Sequence, residues 1–246
     1  MDLELSQYAL ILVGGLLAGV INGTVGGGSL LTYPLLVAAG LPPVLAAATN
    51  TTGLAPGNAA ALIPHRRGQT VDLRAWLPHA AAHAGGALIG GSLLVALPEK
   101  VFEFIVPWLL IAAALLTLRR PRFDSRPPAA RRKTLARLMG SGVYQGYFGP
   151  GQGVVAVAVL FSDGRLSPHQ VIVVKNLVLA ASNIVVAAFF LLTGHVVLLV
   201  ALALMATASV GAWTGGHLAQ HVPGGLVRWG VAAVGFASAT WFVLWR

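Results

Sequence analysis

The chain has 246 residues, 57% of them hydrophobic and 9% charged, with a net charge of +9. A soluble domain carries about 25% charged residues, so this composition excludes an ordinary soluble fold. No cysteine is present, which excludes disulfides, thiolate metal ligands and thiol catalysis.

The start, "MDLELSQYAL", is acidic and lacks the basic n-region of a cleaved signal peptide. An apolar stretch over 8–40 follows, interrupted by "GVINGTVGGGSLLTYP" (19–34). As one helix it would measure about 50 Å, too long for a hydrocarbon core of about 30 Å. Two readings stay open. One is a steeply tilted broken helix; the other is a re-entrant hairpin, 8–21 in and 29–40 back, with the glycines at its tip.

Six further segments are mostly apolar: 44–63, 73–96, 101–118, 170–192, 196–218 and 226–245. Their lengths suit the ~20 residues that a helix needs to cross a bilayer. The short alternating segments of a β-barrel are absent. The sequence predicts an all-α polytopic membrane protein.

Residues 119–137, "RRPRFDSRPPAARRKTLAR", hold much of the positive charge. Between two hydrophobic halves such a run reads as a cytoplasmic loop, not a nucleic-acid site. "HRRGQTVD" (65–72) falls on the same inner side, and "GLPPV" (40–44) outside.

The second half repeats the first at a shift of 123 to 126 residues. "GVINGTVGGG" (19–28) falls on "GVYQGYFGPG" (142–151), Asn50 on Asn176 and Gly68 on Gly194. "GALIGG" (86–91) falls on "GAWTGG" (211–216), and Pro98 on Pro223. The predicted layout is a first membrane repeat over 1–118, the basic linker 119–137, and a second repeat over 138–246. Each repeat has a glycine-broken or re-entrant first segment and three transmembrane helices. A hairpin leaves an odd number of crossings and so inverted repeats. Arg165 and Arg228 inside and "LTG" (192–194) outside favour that arrangement.

Broken helices at membrane depth are tolerated where they are buried in protein or line a wet cavity. Gly23, Gly26, Gly27 and Gly28 allow a sharp turn. Ser29 is the expected N-cap of a half-helix over 30–39, whose positive end would favour an anion. Gly146, Gly149, Gly151 and Gly153 repeat the pattern, with Gln145 and Gln152 as amide donors. "GALIGG" and "GAWTGG" read as close helix packing.

Polar groups recur at depth. "TNTTGLAPGN" (49–58) supplies Thr49, Asn50, Thr51, Thr52 and Asn58; "KNLVLAASN" (175–183) supplies Lys175, Asn176, Ser182 and Asn183. If the repeats pack face to face about a two-fold, Asn50 and Asn176 would face one substrate from opposite sides; the alternative is that these polar side chains hydrogen-bond neighbouring helices. Lys175 has two open readings, attraction of a negative substrate or snorkelling to the interface. All seven carboxylates fall at ends or loops, which argues against a cation transporter or a proton pump and for an anion or neutral cargo. His79 and His83 share a helix face, as do His217 and His221. Proton coupling through His79 or His83 is open, since histidine titrates near neutral pH. Two histidines without an acid do not make a metal site, so no metal is expected. No Ser–His pairing at a recognised motif and no buried carboxylate pair occur, so the chain is not expected to be an enzyme and needs no cofactor.

These motifs resemble the sulfite exporter TauE/SafE family of membrane permeases over nearly the whole chain. The resemblance rests on G-x-x-x-G-x-x-G-G-G (19–28), P-L-L (34–36), G-L-P-P (40–43), A-x-x-T-N (46–50) and R-R-G (66–68). The second half supplies Y-x-G-Y-F-G-P-G-x-G (144–153) and K-N-L (175–177). It implies a permease for small, often sulfur-containing anions in the bacterial inner membrane. It also implies a substrate region of Asn22, Gly26, Gly27, Gly28, Thr49, Asn50, Gly149, Gly151, Lys175 and Asn176. Pro150 departs from the first loop, so the half-sites are not equivalent. The expected reading is a secondary transporter for sulfite or a related sulfur oxyanion or organosulfonate; a passive anion channel is the alternative. Its partners are a small anion and the bilayer, with homo-oligomer formation left open and no nucleic acid.

Overall fold

The structure is a computed structural model describing residues 4–24, 26–66, 71–119, 129–218 and 224–244. Its described residues form helices α1 (Leu5–Thr24), α2 (Ser29–Ala38), α3 (Pro43–Arg66), α4 (Leu73–Ala96) and α5 (Glu99–Leu118). The second half forms α6 (Arg131–Tyr147), α7 (Gln152–Phe161), α8 (Pro168–Leu192), α9 (Leu198–Leu218) and α10 (Gly224–Leu244). No strand occurs among them.

The first segment is a hairpin. Gly26 and Gly27 have φ of 88° and 94°, so the chain reverses after α1. The Gly26 N–H donates to Ile21 O at 2.9 Å, closing the helix end. Gln7, near the start of α1, donates through Nε2 to Ala39 O at 3.3 Å, just beyond α2. The chain thus returns to the side on which it began, as the re-entrant reading expects. The second half does the same. Gly149 N donates to Tyr144 O, and Ala129 N donates to Asp163 O at 2.9 Å, which joins the start of α6 to the end of α7. Gly149 has φ 86°, matching Gly26, but the next left-handed residue is Gly151 (φ 78°) where the first repeat uses Gly27. Pro150 occupies the position of Gly27, and its ring forbids positive φ.

Four details differ from the sequence expectation. Gly23 and Gly146 are helical, not turn residues. A Cβ on Gly23 would lie 2.8 Å from Gly216 N, and one on Gly146 2.6 Å from Gly91 N. They let α1 pack on α9 and α6 on α4, against the "GAWTGG" and "GALIGG" stretches, which pack closely as read. Ser29 is not a cap: Gly28 holds that position without a side-chain bond. Residues 131–137, placed in the linker, open α6. Residues 120–128, Gly68, Pro223 and His221 lie outside the described residues.

Six described helices are long and apolar enough to span a membrane: α1, α4, α5, α8, α9 and most of α10. The chain is a multi-pass helical membrane protein. The 44–63 segment, now α3, is not among the six, because its Thr and Asn residues lower its hydropathy. Those residues are buried instead: Thr49, Asn50, Thr51, Thr52 and Asn58 are at most 3% exposed. α3 packs on α8 and α9 as a central helix. Aromatic side chains seat the hairpin tips: Phe148 lies 5.6 Å from Tyr33 of α2 and 6.3 Å from Phe102 of α5, centroid to centroid.

Candidate functional site

The two hairpin tips touch. Gly26 packs on Gly153, whose added Cβ would lie 3.3 Å from Gly26 Cα. The Gly151 N–H, at the start of α7, donates to Ser29 Oγ of α2 at 3.0 Å. Each half-helix therefore begins inside the protein, where backbone N–H groups need partners.

Asn22 joins two positive groups at the first tip. It lies in the last turn of α1, where carbonyls lack intrahelical donors and the helix dipole is negative. Its carbonyl accepts from Lys175 Nζ at 3.1 Å. Its side-chain Oδ1 accepts from Gly28 N at 2.8 Å, at the start of α2. An ammonium from α8 and the positive end of α2 thus converge on one residue. Lys175 is fully buried, so the snorkelling reading does not describe it.

Buried amides flank this point on α3 and α8. Asn50 Oδ1 accepts from Thr32 Oγ1 at 2.5 Å, leaving its Nδ2 without a partner among the described residues. Neither polar atom of the Asn176 side chain has one. Both residues are fully buried, on helices that pack together. Such groups call for water or a ligand. Thr49 is committed elsewhere, its Oγ1 accepting from Val197 N at 3.1 Å. Gly149 faces Thr51 of α3, whose Oγ1 lies 2.6 Å from the position of an added Cβ. Gln152 opens α7 with its Oε1 unpartnered among the described residues. Gln145 is instead held to α8: its Nε2 donates to Asn183 Oδ1 at 2.6 Å, and Ser182 Oγ donates to its Oε1 at 3.0 Å.

His79 and His83 sit on α4, away from these amides in their bonding. His83 Nε2 lies 3.3 Å from Ser141 Oγ of α6. The remaining ring nitrogens, both of His79 and Nδ1 of His83, are buried without a partner among the described residues. A cavity of about 280 Å³ lies elsewhere, lined by Pro42, Leu45, Leu94, Leu97, Glu99 and His195.

Sequence reasoning missed three participants. Ser29, a local cap by its place in the sequence, reaches the other half of the chain. Thr32 fixes Asn50, and its only signal is its place one turn into the half-helix. Tyr144 donates to Pro150 O at 2.5 Å and braces the second tip; a tyrosine in an apolar stretch gives little sign of such a bond.

The family model for the sulfite exporter TauE/SafE matches residues 11–242. A probable membrane transporter protein, ORF9, from Sinorhizobium sp. is 34% identical over 62% of this chain; the match covers 60% of ORF9's length. A probable membrane transporter protein of Haemophilus influenzae is 29% identical over 93% of this chain and 91% of its own. The probable membrane transporter protein YfcA of Escherichia coli K12 is 31% identical, over 87% of this chain and 81% of its own. No solved structure matches the chain. A family match that runs from the first hairpin to the last helix places the chain in the sulfite exporter TauE/SafE family.

Proposed function

We propose that the protein is a secondary transporter for a small anion, with sulfite or a related sulfur oxyanion or organosulfonate as the leading cargo. The observation that carries this reading is the convergence of Lys175 Nζ and the Gly28 N–H on Asn22. Both donors would favour a negative group over the neutral oxygens they now hold. An entering anion takes them from Asn22, while Asn50 and Asn176 offer unpartnered amide atoms nearby along the α3–α8 pair. The substrate region is then Asn22, Gly26, Gly27, Gly28, Asn50, Lys175 and Asn176. Gly149, Gly151, Gln152, Thr49 and Gln145 support it from the second tip and from α3 and α6.

Alternating access follows from inverted repeats. A hairpin that returns to its own side leaves three crossings per repeat, an odd number, so the second repeat enters from the opposite side. The reciprocal packing of α1 on α9 and α6 on α4 supports this arrangement. The positive-inside rule then places the basic linker in the cytoplasm of a bacterial inner-membrane protein.

The test is flux in proteoliposomes with radiolabelled sulfite, thiosulfate, sulfate and small alkylsulfonates. Saturable uptake and counterflow of one of them support a carrier. Uptake that never saturates and lacks counterflow makes the protein a passive channel, and no flux of any anion overturns the reading.

A further inference from the structure

A run of polar residues on α4, α6 and the loop after α7 meets the anion site only at Gln145. At the side where the α6–α7 hairpin begins and ends, Asp163 is buried beneath Arg165, which donates through Nε at 2.5 Å and Nη2 at 2.7 Å. Thr134 of α6 also donates to Asp163. The Arg165 guanidinium lies over Trp76 of α4, 5.5 Å from its centroid. Trp76 in turn lies against the His79 ring, 4.6 Å between centroids. One turn deeper is His83, then Ser141, and one turn further along α6 is Gln145, bonded to Ser182 and Asn183 of α8. At 1.5 Å per residue, His79 lies about 10 Å and His83 about 15 Å from the start of α4.

Polar groups thus run from a partly exposed arginine to the middle of the helix bundle. The other repeat lacks this run: the matching positions on α9 are Leu204 and Ala208, and Ala18 on α1 matches Ser141. Packing did not require histidines here, since apolar residues serve the equivalent contact. The three unpartnered ring nitrogens of His79 and His83 are unexplained by any bond among the described residues. Buried imidazoles in that state are satisfied by water, and water between imidazoles carries protons.

We infer that His79 and His83, with Ser141 and Gln145, form a proton relay entered beside Arg165 and Trp76, which couples anion movement to proton movement. The inference rests on the transporter reading and names its coupling ion. A proton passes from water to a His79 nitrogen and through water to His83 Nδ1, while the Ser141 hydroxyl holds the far nitrogen; it returns to water on the other side when the transporter turns its site to face that side. The charged groups facing His79 are the cations Arg165 and Arg131 and the anion Asp163. On α8, the other helix packed on α4, Lys175 is held by Asn22 and His169 is exposed. No titratable side chain is described on α3.

The test uses the full chain in liposomes loaded with a pH-sensitive dye. Radiolabelled sulfate and thiosulfate serve as probes beside sulfite, because they do not titrate at neutral pH. Wild-type protein should move protons with the anion. His83→Gln should lower protons moved per anion about fivefold or more, with counterflow kept within about twofold. Ser141→Ala should give a smaller loss in the same direction, and His217→Gln, at an exposed site, none. Wild-type counterflow without proton movement overturns the relay and leaves the transporter reading standing. An unchanged proton-to-anion ratio in both His83→Gln and His79→Gln also overturns it. Absence of counterflow for every probe overturns both.

Discussion

The N–H of Gly151 donates to the hydroxyl of Ser29 across 122 residues of sequence, at 3.0 Å. This bond ties the start of one half-helix to the start of the other, between two hairpins that enter the bundle separately. Its partners are both buried. Removal of the hydroxyl leaves a backbone N–H unsatisfied, at a cost of about 1–3 kcal/mol. Ser29→Ala should therefore lower the unfolding temperature in detergent, whereas Ser29→Thr, which keeps the hydroxyl, should restore part of it. An unfolding temperature unchanged in Ser29→Ala would mean that the tips do not depend on this bond.

Lys175 separates charge from packing. Lys175→Met keeps most of the side-chain volume and removes the ammonium. It also removes the donor to Asn22 O, a carbonyl in the last turn of α1. Anion uptake should fall tenfold or more, roughly the loss of one charge-assisted bond of about 1.5–3 kcal/mol. The folded yield should change much less. Uptake at the wild-type rate would remove Lys175 from the anion site.

Gly27 is constrained twice. Its φ of 94° is unfavourable for any residue with a side chain, and an added Cβ would lie 3.1 Å from Val154 Cγ2 and 3.3 Å from Val231 Cγ1. The backbone term alone is about 1–2 kcal/mol. Gly27→Val should abolish transport. Gly140→Ala is the matched control, because nothing lies within 4 Å of an added Cβ there. It should transport normally and be no less stable, since alanine is the better helix former. Near-normal uptake by Gly27→Val would show that the first tip need not keep its shape.

These tests also mark what the sequence carried. Composition and run length announced the spanning helices, because apolar side chains must meet lipid. The glycine loops were legible as breaks, because a left-handed turn selects glycine. What glycine does at each position was not. Gly23 and Gly26 are three residues apart and read alike, yet one packs a helix against α9 and the other reverses the chain. That choice is made by the neighbour, which the local sequence does not name. The polar residues of α3 had the opposite fate. They were visible as candidates, but their enclosure depends on α8 and α9 surrounding them. Lys175 shows the same limit, since nothing in "VVKNL" points to Asn22, which is 153 residues away.

The packing glycines give a paired prediction. A Cβ on Gly90 would lie 2.7 Å from Tyr147 N, and one on Gly19 2.8 Å from Ala212 N. Both contacts are with backbone, which cannot rotate aside. Gly90→Leu should loosen α4 from α6, and Gly19→Leu should loosen α1 from α9. Comparable losses of thermal stability are expected, because the two interfaces are built alike. A large loss at one and none at the other would mean that a single interface holds the bundle.

Asp163 supplies the pH dependence. Burial raises its carboxyl pKa, but bonds from Arg165 and Thr134, with the Arg165 charge, outweigh this and hold it below the ordinary carboxylate value. The same bond raises the Arg165 pKa. A carboxylate with a depressed folded pKa adds stability above its unfolded pKa and loses it as pH falls through the folded value. The contribution is therefore full at neutral pH and fades in acid, from about pH 4 downward. Arg165 is 35% exposed at its side chain, so solvent screens the pair and its worth is on the order of 1 kcal/mol. Asp163→Asn should lower the unfolding temperature at pH 7, and by less at pH 3. The mechanical consequence is local: Asp163 ties the end of α7 to Thr134 and, through its carbonyl, to Ala129 before α6. Hydrogen exchange should therefore rise first at the start of α6 in the variant, before the α4–α6 glycine contact is lost. A destabilisation equal at both pH values would assign the role of Asp163 to shape and not to its charge.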